Sequence, residues 1–331
     1  MKVIHFFAIT AMAAAMITSC SSEDELSQSN YPSDNIVRVT AGVNNAKTRA
    51  EGTGVSAMNK DFSLTIVNKN AESTLANKYT YINKVFSKKT GDWVCSETLL
   101  WQNATTPVDI VAFAPAQVDK FNGVYADGSI KPITYSIATD QSTSSDNNDL
   151  LYYYAPGFKP GDKLVDEKLN IQFNHAFCMI DINVTLGTEF NKPKVLDDSP
   201  IIKVTLGGTK IAANVDVKNA TSIVTARGEA TNITTTQGTF TPAPDKNAEK
   251  NAISRFSCIA IPQTVAAGTF KVSLMTAGKL YEWTSVEPVE LKSGNRYTLE
   301  LTMGNNVVLL KDDKITASPW TEGTGGTLET D

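Results

Sequence analysis

The sequence predicts an all-β protein built as two β-sandwiches in tandem. Three observations carry that reading. Apolar residues recur at every second position through most of the chain, the period of half-buried strands. Turns rich in Gly, Asn, Asp and Ser separate these runs at short intervals, and no long amphipathic helix interrupts them. The chain has 331 residues, long for one sandwich and comfortable for two.

The first 19 residues read as a signal peptide. Lys2 gives a positive start, and a mostly apolar run follows, too short to span a bilayer comfortably. Ile17-Thr18-Ser19-Cys20 then resembles a lipobox: small side chains fit the peptidase, and the Cys20 thiol accepts diacylglycerol. Ser21-Ser22-Glu23-Asp24-Glu25 resembles the surface-export signal of lipoproteins in Bacteroidetes-type bacteria, and is also what a solvated acidic tether looks like. The predicted product is an outer-membrane lipoprotein exposed at the cell surface.

Residues 35–43 form the first predicted strand. Val37, Val39, Ala41 and Val43 share one face, while Arg38 and Thr40 point the other way. Residues 44–54 are polar and contain glycine, which predicts an exposed loop. Further strands carry Phe62, Leu64 and Ile66, then Tyr79 and Tyr81, then Val108, Ile110 and Ala112. Residues 117–148 are poor in apolar periodicity and read mostly as loop.

The strongest strand signal is residues 170–186, and its phase flips. Ile171 and Phe173 occupy odd positions; Cys178, Ile180, Ile182, Val184 and Leu186 occupy even ones. Such a flip near Asn174-His175-Ala176 predicts a bulge or a change of sheet. A domain boundary is expected close after it, near 186, giving sandwiches over 50–186 and 187–331. The second half continues with strands at Ile202, Val204 and Leu206, at Ile211, Ala213, Val215 and Val217, a hairpin turning at Ala277-Gly278, and a strand at Tyr297, Leu299, Leu301 and Met303.

Composition narrows function. Hydrophobic residues make up 41% and charged residues 20%, as for a globular chain able to bury a core. A net charge of −5 with both signs scattered argues against a nucleic-acid partner, which needs clustered Lys and Arg. Of two histidines, His5 lies in the leader and leaves His175 alone in the mature chain. A Ser-His-Asp triad, a Cys-His dyad or a His-rich metal site would therefore all have to use His175. A lone His in an apolar stretch reads as structural. There is no Gly-x-Ser-x-Gly elbow, Walker loop, dinucleotide fingerprint or His-Glu-x-x-His motif, so a non-enzymatic chain without cofactor is expected.

Asp140, Asp146 and Asp149 offer a weak set of hard oxygen ligands for calcium, although no EF-hand pattern is present. Removal of Cys20 leaves Cys95, Cys178 and Cys258, an odd number; Cys178 and Cys258 read as small buried hydrophobes. Trp93 and Trp283 lie in strand-like segments and read as core, whereas Trp101 and Trp320 sit near turns. Exposed tryptophans would support the alternative function of a monomeric, glycan-binding surface lipoprotein.

Several pieces together resemble the fimbrillin family, the subunits and accessory proteins of type V pili in Bacteroidetes-type bacteria. They are the lipoprotein leader, a first strand followed by Lys47-Thr48-Arg49-Ala50, the segment from Asp140-Gln141-Ser142 to Asp149-Leu150-Leu151-Tyr152, Phe173-Asn174-His175-Ala176, Gly294-Asn295-Arg296-Tyr297 and Trp320-Thr321-Glu322-Gly323. The resemblance implies two transthyretin-like sandwiches. It also implies an assembly route in which an arginine-specific protease cuts after an Arg in the loop behind the first strand. Here that is Arg49-Ala50, in an exposed loop where proteolysis is favoured; residues 20–49 would leave as a propeptide. The plug Val37, Val39, Ala41 and Val43 would leave a groove for a neighbour's strand, donated from a C-terminal region in which Val307, Val308, Leu309 and Leu310 are the apolar candidates. The implied partners are other pilus subunits, and the implied location is the outer membrane first and the fimbrium afterwards. Anchors of the same family keep lipid and strand, which leaves an uncleaved anchor as a further alternative.

Overall fold

The computed structural model describes residues 30–44, 55–117, 121, 123–143, 148–191, 195–219, 223–245, 251–311 and 314–320. Cys20, Arg49, Ala50 and Asp146 lie outside these residues. The regular secondary structure of the described chain is nearly all strand. Its helices are the short α1 (Ser73–Lys78), α2 (Pro160–Lys163) and one 3-10 turn.

In chain order the first eleven strands are β1 (Arg38–Asn44), β2 (Val55–Ala57), β3 (Phe62–Asn68), β4 (Tyr81–Lys89), β5 (Asp92–Cys95), β6 (Val108–Ala114), β7 (Tyr125–Ala126), β8 (Ser129–Ile130), β9 (Ile133–Ser136), β10 (Leu151–Phe158) and β11 (Lys168–His175). Eight of them form one curled sheet in the order β2-β1-β11-β10-β6-β3-β4-β5. Its concave side closes on a first core. There Phe62 stacks on Phe86 at 5.4 Å and meets the edges of Trp93 at 5.0 Å and Phe173 at 5.4 Å. Such pairs are worth more than their buried area alone.

The remaining strands are β12 (Cys178–Leu186), β13 (Ile201–Val215), β14 (Val224–Thr234), β15 (Thr236–Thr241), β16 (Ile253–Ala260), β17 (Gln263–Val265), β18 (Lys271–Thr276), β19 (Leu280–Thr284), β20 (Val289–Leu291), β21 (Asn295–Met303), β22 (Val308–Leu310) and β23 (Thr316–Pro319). One sheet runs β15-β16-β12-β21-β22, with β23 also on β21, and faces another running β14-β13-β18-β19. Between them lies the second core, with Ile180, Ile182, Val184, Leu206, Leu274 and Leu299 fully buried. Across one face, Arg296 on β21 forks onto Asp181 on β12, and this hydrogen bond raises the pKa of the guanidinium further.

Two expectations need correction. The change of core falls at residues 176–177, not near 186: β11 ends at His175 in the first sheet, and β12 starts at Cys178 in the second. The phase flip marks the crossing itself, because a strand that changes sheet must also change the face it buries. Residues 117–148 are also more than loop. Phe121, Val124, Ile130, Ile133, Tyr135 and Ile137 are buried in the second core, and β9 pairs with β13. Short strands among polar residues hid a valid alternation at Ile133, Tyr135 and Ile137.

That segment also joins the two halves. Ile66, Ile110 and Ala112 face the first core, while Val67, Val111 and Phe113 on the other side of the same strands pack into the second. Phe113 stacks on Phe121 at 4.8 Å. With both faces covered, β6 reads VDIVAFA, a nearly continuous apolar run.

A long strand such as β13 needs a local break to wrap two neighbours. Its register to β14 shifts between Leu206 and Thr209. Gly208 sits there at φ +85°, and a Cβ at that position would lie 2.0 Å from the Thr269 carbonyl oxygen. Gly208→Ala is predicted to cost about 1–3 kcal/mol from backbone strain, before the clash is added. A fall in the urea unfolding midpoint with unchanged far-UV circular dichroism is the expected signature; an unchanged midpoint would refute the bulge argument.

Candidate functional site

β1 is the element on which the expected assembly chemistry converges. It runs parallel to β11, Arg38–Val43 against Lys168–Phe173, and antiparallel to β2 through Gly42–Asn44. A parallel partner must be reached by a long crossover, and here most of the first half of the chain intervenes. The alternation sets the face. Val37, Val39 and Val43 are 6%, 4% and 2% exposed in the first core, and Ala41 is half-buried against it. On the other face Thr40 is exposed and donates to Asn170, and Arg38 pairs with Asp34. That hydrogen bond with Arg38 holds the Asp34 carboxyl at about 2. The strand's approach is tied down by Val37 N–H to Leu99 C=O at 2.9 Å and Trp101 N–H to Asn35 C=O at 2.8 Å.

Burial of three valines is worth on the order of 5–9 kcal/mol on transfer scales. β11 is covered on this side by β1 alone, so without β1 it becomes an edge with unpaired backbone groups. Arg49 and Ala50 fall in the sequence between β1 and β2, two strands paired to each other.

A second constellation lies where β11 ends. His175 and Asp149 are each 2% exposed at their side chains, with Nδ1 2.9 Å from Oδ2. The Trp320 ring lies on the His175 ring at 3.7 Å, tilted by 14°. The Trp320 N–H donates to Gly294 C=O at 2.7 Å, and the Gly294 N–H donates to Phe177 C=O at 2.9 Å. Gly294 takes φ +69° at the turn into β21, which favours glycine. Nearby, Gln141 is fully buried and pairs with a strand as if it were backbone: its Oε1 accepts from Ile259 N–H at 2.8 Å, and its Nε2 donates to Ile259 C=O at 3.0 Å. Sequence reasoning saw each of these residues singly and missed that they meet.

The other candidate residues are placed as follows. Asp149 is engaged by His175 and Asp140 accepts from the Ser142 N–H, while Asp146, the third calcium candidate, lies outside the described residues. Among the described residues no cluster of metal ligands occurs. Trp101 and Trp320 are buried at 2% and 5% exposure, the former against Phe158 at 6.1 Å. Neither presents a ring to a sugar, which removes the support for the glycan-binding alternative. Cys95, Cys178 and Cys258 are free thiols, and burial pushes the latter two far above the ordinary thiol range. Val308 and Leu310 point into the second core, whereas Val307 and Leu309 are exposed, so this run does alternate within β22.

The fold and these contacts define an all-β-sandwich protein whose buried polar groups bind strand to strand. The chain belongs to the fimbrillin-like family, whose model matches residues 48–320. That membership makes it a pilus-related protein of the cell surface. Among solved structures it is similar to a candidate cell adhesion protein from Bacteroides uniformis, at 14% identity and a TM-score of 0.56 over 88% of this chain and 100% of that one. A candidate cell adhesion protein from Bacteroides ovatus gives 15% identity and a TM-score of 0.58 over 87% and 99%. Likeness at this identity establishes the fold. The tip fimbrial protein Mfa3 from Porphyromonas gingivalis also matches, at 10% identity and a TM-score of 0.49 over 86% and 100%. No curated protein matches the chain in sequence.

The alternation on β1 makes a direct prediction. Val39→Ala should lower unfolding free energy by about 1.5–3 kcal/mol. Thr40→Ala, next along the strand, should cost less than about 1 kcal/mol, since it loses only an exposed hydrogen bond. Urea denaturation of both variants measures the contrast, and equal losses would contradict the assigned face.

Proposed function

We propose that the chain is a structural subunit, stalk or tip, of a cell-surface pilus. It is exported as an outer-membrane lipoprotein through Cys20 and cut after Arg49. It joins its neighbours when a donated strand replaces β1, and the resulting fibre supports adhesion and biofilm growth. The observation that carries this reading is the burial of Val39 and Val43 in β1, the first strand among the described residues, and of Val37 just before it. A strand placed so can leave without rethreading the rest, and a new one regains both apolar burial and ladder hydrogen bonds by β-augmentation. The donor is taken from the C-terminal region that includes Val307, Val308, Leu309 and Leu310. The inward alternation of Val308 and Leu310 suits a strand able to fill alternate pockets.

Native gel electrophoresis of protein trimmed at Arg49 against untrimmed protein tests the proposal. Trimmed protein is predicted to ladder, untrimmed protein to stay monomeric, and Arg49→Ala to block laddering in the presence of the protease. Blotted cell fractions should show a species that has lost residues 20–49. A chain that stays full-length and lipidated on cells would instead be an anchor.

A further inference from the structure

β1 and β23 stand at opposite ends of the described chain, yet they finish at the same place. Asn44, the last residue of β1, lines a crevice of about 350 Å³ together with Asn174, His175, Gly294, Pro319 and Trp320. The contacts between the two ends form an unbroken series. β1 pairs with β11 up to Val43 and Phe173, and the next residue, Asn44, donates from Nδ2 to Asn174 Oδ1 at 2.9 Å. The following residue, His175, carries the Trp320 ring, and residues 175–177 also hold Gly294, the backbone partner of Trp320.

Besides Trp320, β23 is held by few side chains, chiefly Ile315 just before it, which packs partly buried against the second core. Its side chains, Thr316 to Pro319, are all exposed, and it pairs only with Asn295–Thr298 of β21. Trp320 is the one buried side chain from Thr316 onward among the described residues. The edge strand is therefore secured at its end by a ring stacked on a residue of the first sheet, and that residue's strand is braced by β1.

We infer that β1 and β23 are coupled: the strand filling the first groove also keeps the C-terminal strand clasped, through β11, His175 and Trp320. Loss of β1 turns β11 into an edge strand and removes the Asn44 brace beside His175. The seat of Trp320 loosens, and β23 is released. Coupling of this kind is reciprocal, so loosening Trp320 must also loosen β1. The coupling belongs to the folded chain; its use as a control, which frees a C-terminal strand only after the first strand has gone, rests on the pilus reading above.

Amide hydrogen exchange on the full chain tests this with three variants: Val39→Asp, which ejects β1 without removing it, Trp320→Ala and Trp320→Phe. Val39→Asp should speed exchange of Thr316, Ala317 and Ser318 at least tenfold. Trp320→Ala should speed exchange within β1 as well as within β23, while Leu206 and Ile233 in the middle of the second core keep their rates. Trp320→Phe, which preserves a stacked ring, should restore protection at both strands. The inference is overturned if Trp320→Ala affects β23 alone, or if Val39→Asp leaves residues 316–318 unchanged. Should Val39→Asp fail to fold, the Trp320→Ala measurement decides by itself. None of these readouts needs assembly: a chain that ladders without coupling sinks this inference only, and one that shows coupling but never ladders sinks the pilus reading only.

Discussion

A β-strand buries every second side chain, so a segment that serves two cores has to change face where it changes sheet. Residues 168–186 meet that constraint at a single point. Leu169, Ile171 and Phe173 fill the first core, Ile180, Ile182 and Val184 fill the second, and Ala176-Phe177 passes between them. Everything near the crossing depends on how those residues are held. His175 is fixed by Asp149, Ala176 N–H donates to Leu150 C=O, and Phe177 C=O accepts from Gly294. The segment from Asp149 to Tyr152, the turn at Gly294 and the terminal Trp320 are all positioned by this one crossing.

Buried polar groups are costly unless paired, and paired ones favour one arrangement over its rivals. Gln141 is such a group. Its backbone N–H and C=O and both ends of its amide all find partners, in Thr234, Thr236, Ile259 and Ala138. A shifted register in β16 would leave a buried amide unmatched, so the side chain selects one pairing of the second sheet. Asp149 and His175 do the same for the crossing. On the proposed strand exchange the strands that stay must pair unambiguously, and these polar contacts supply that discrimination where apolar packing alone tolerates slippage.

Much of this was legible in the residues. The alternation of Val37, Val39 and Val43, the hairpin at Ala277-Gly278 and the turn at Gly294 follow from period and turn chemistry, and the structure places each accordingly. The sheet crossing was visible as a phase flip, but the flip does not say on which side of it a boundary lies. Strands covered on both faces, such as β3 and β6, lose the alternation that reveals partners, so the contact of Val67 and Val111 with the second core left no mark in the pattern. Nothing in local sequence brings Asp149, His175 and Trp320 together, because their meeting is set by sheet order across 171 positions of chain, from 149 to 320.

The placement of Trp320 bears on how a sandwich protein can be stable and still exchange a strand. Stability in the second half comes from wide sheets in which β12, β13 and β16 each have neighbours on both sides, and these strands have no reason to move. Exchange requires elements with few neighbours and a small, removable anchor. β1 meets that description only in part: it is paired on both sides, by β2 and β11, but it lies first among the described strands and rests its apolar face on one core. β23 meets it through exposed side chains and one terminal ring. Both strands meet β11: β1 pairs along Lys168–Phe173, and Trp320 stacks on His175 at its end. On the proposed coupling, a change at β11 reaches β1 and β23 before it reaches either core, so the edges would respond while the cores keep their packing.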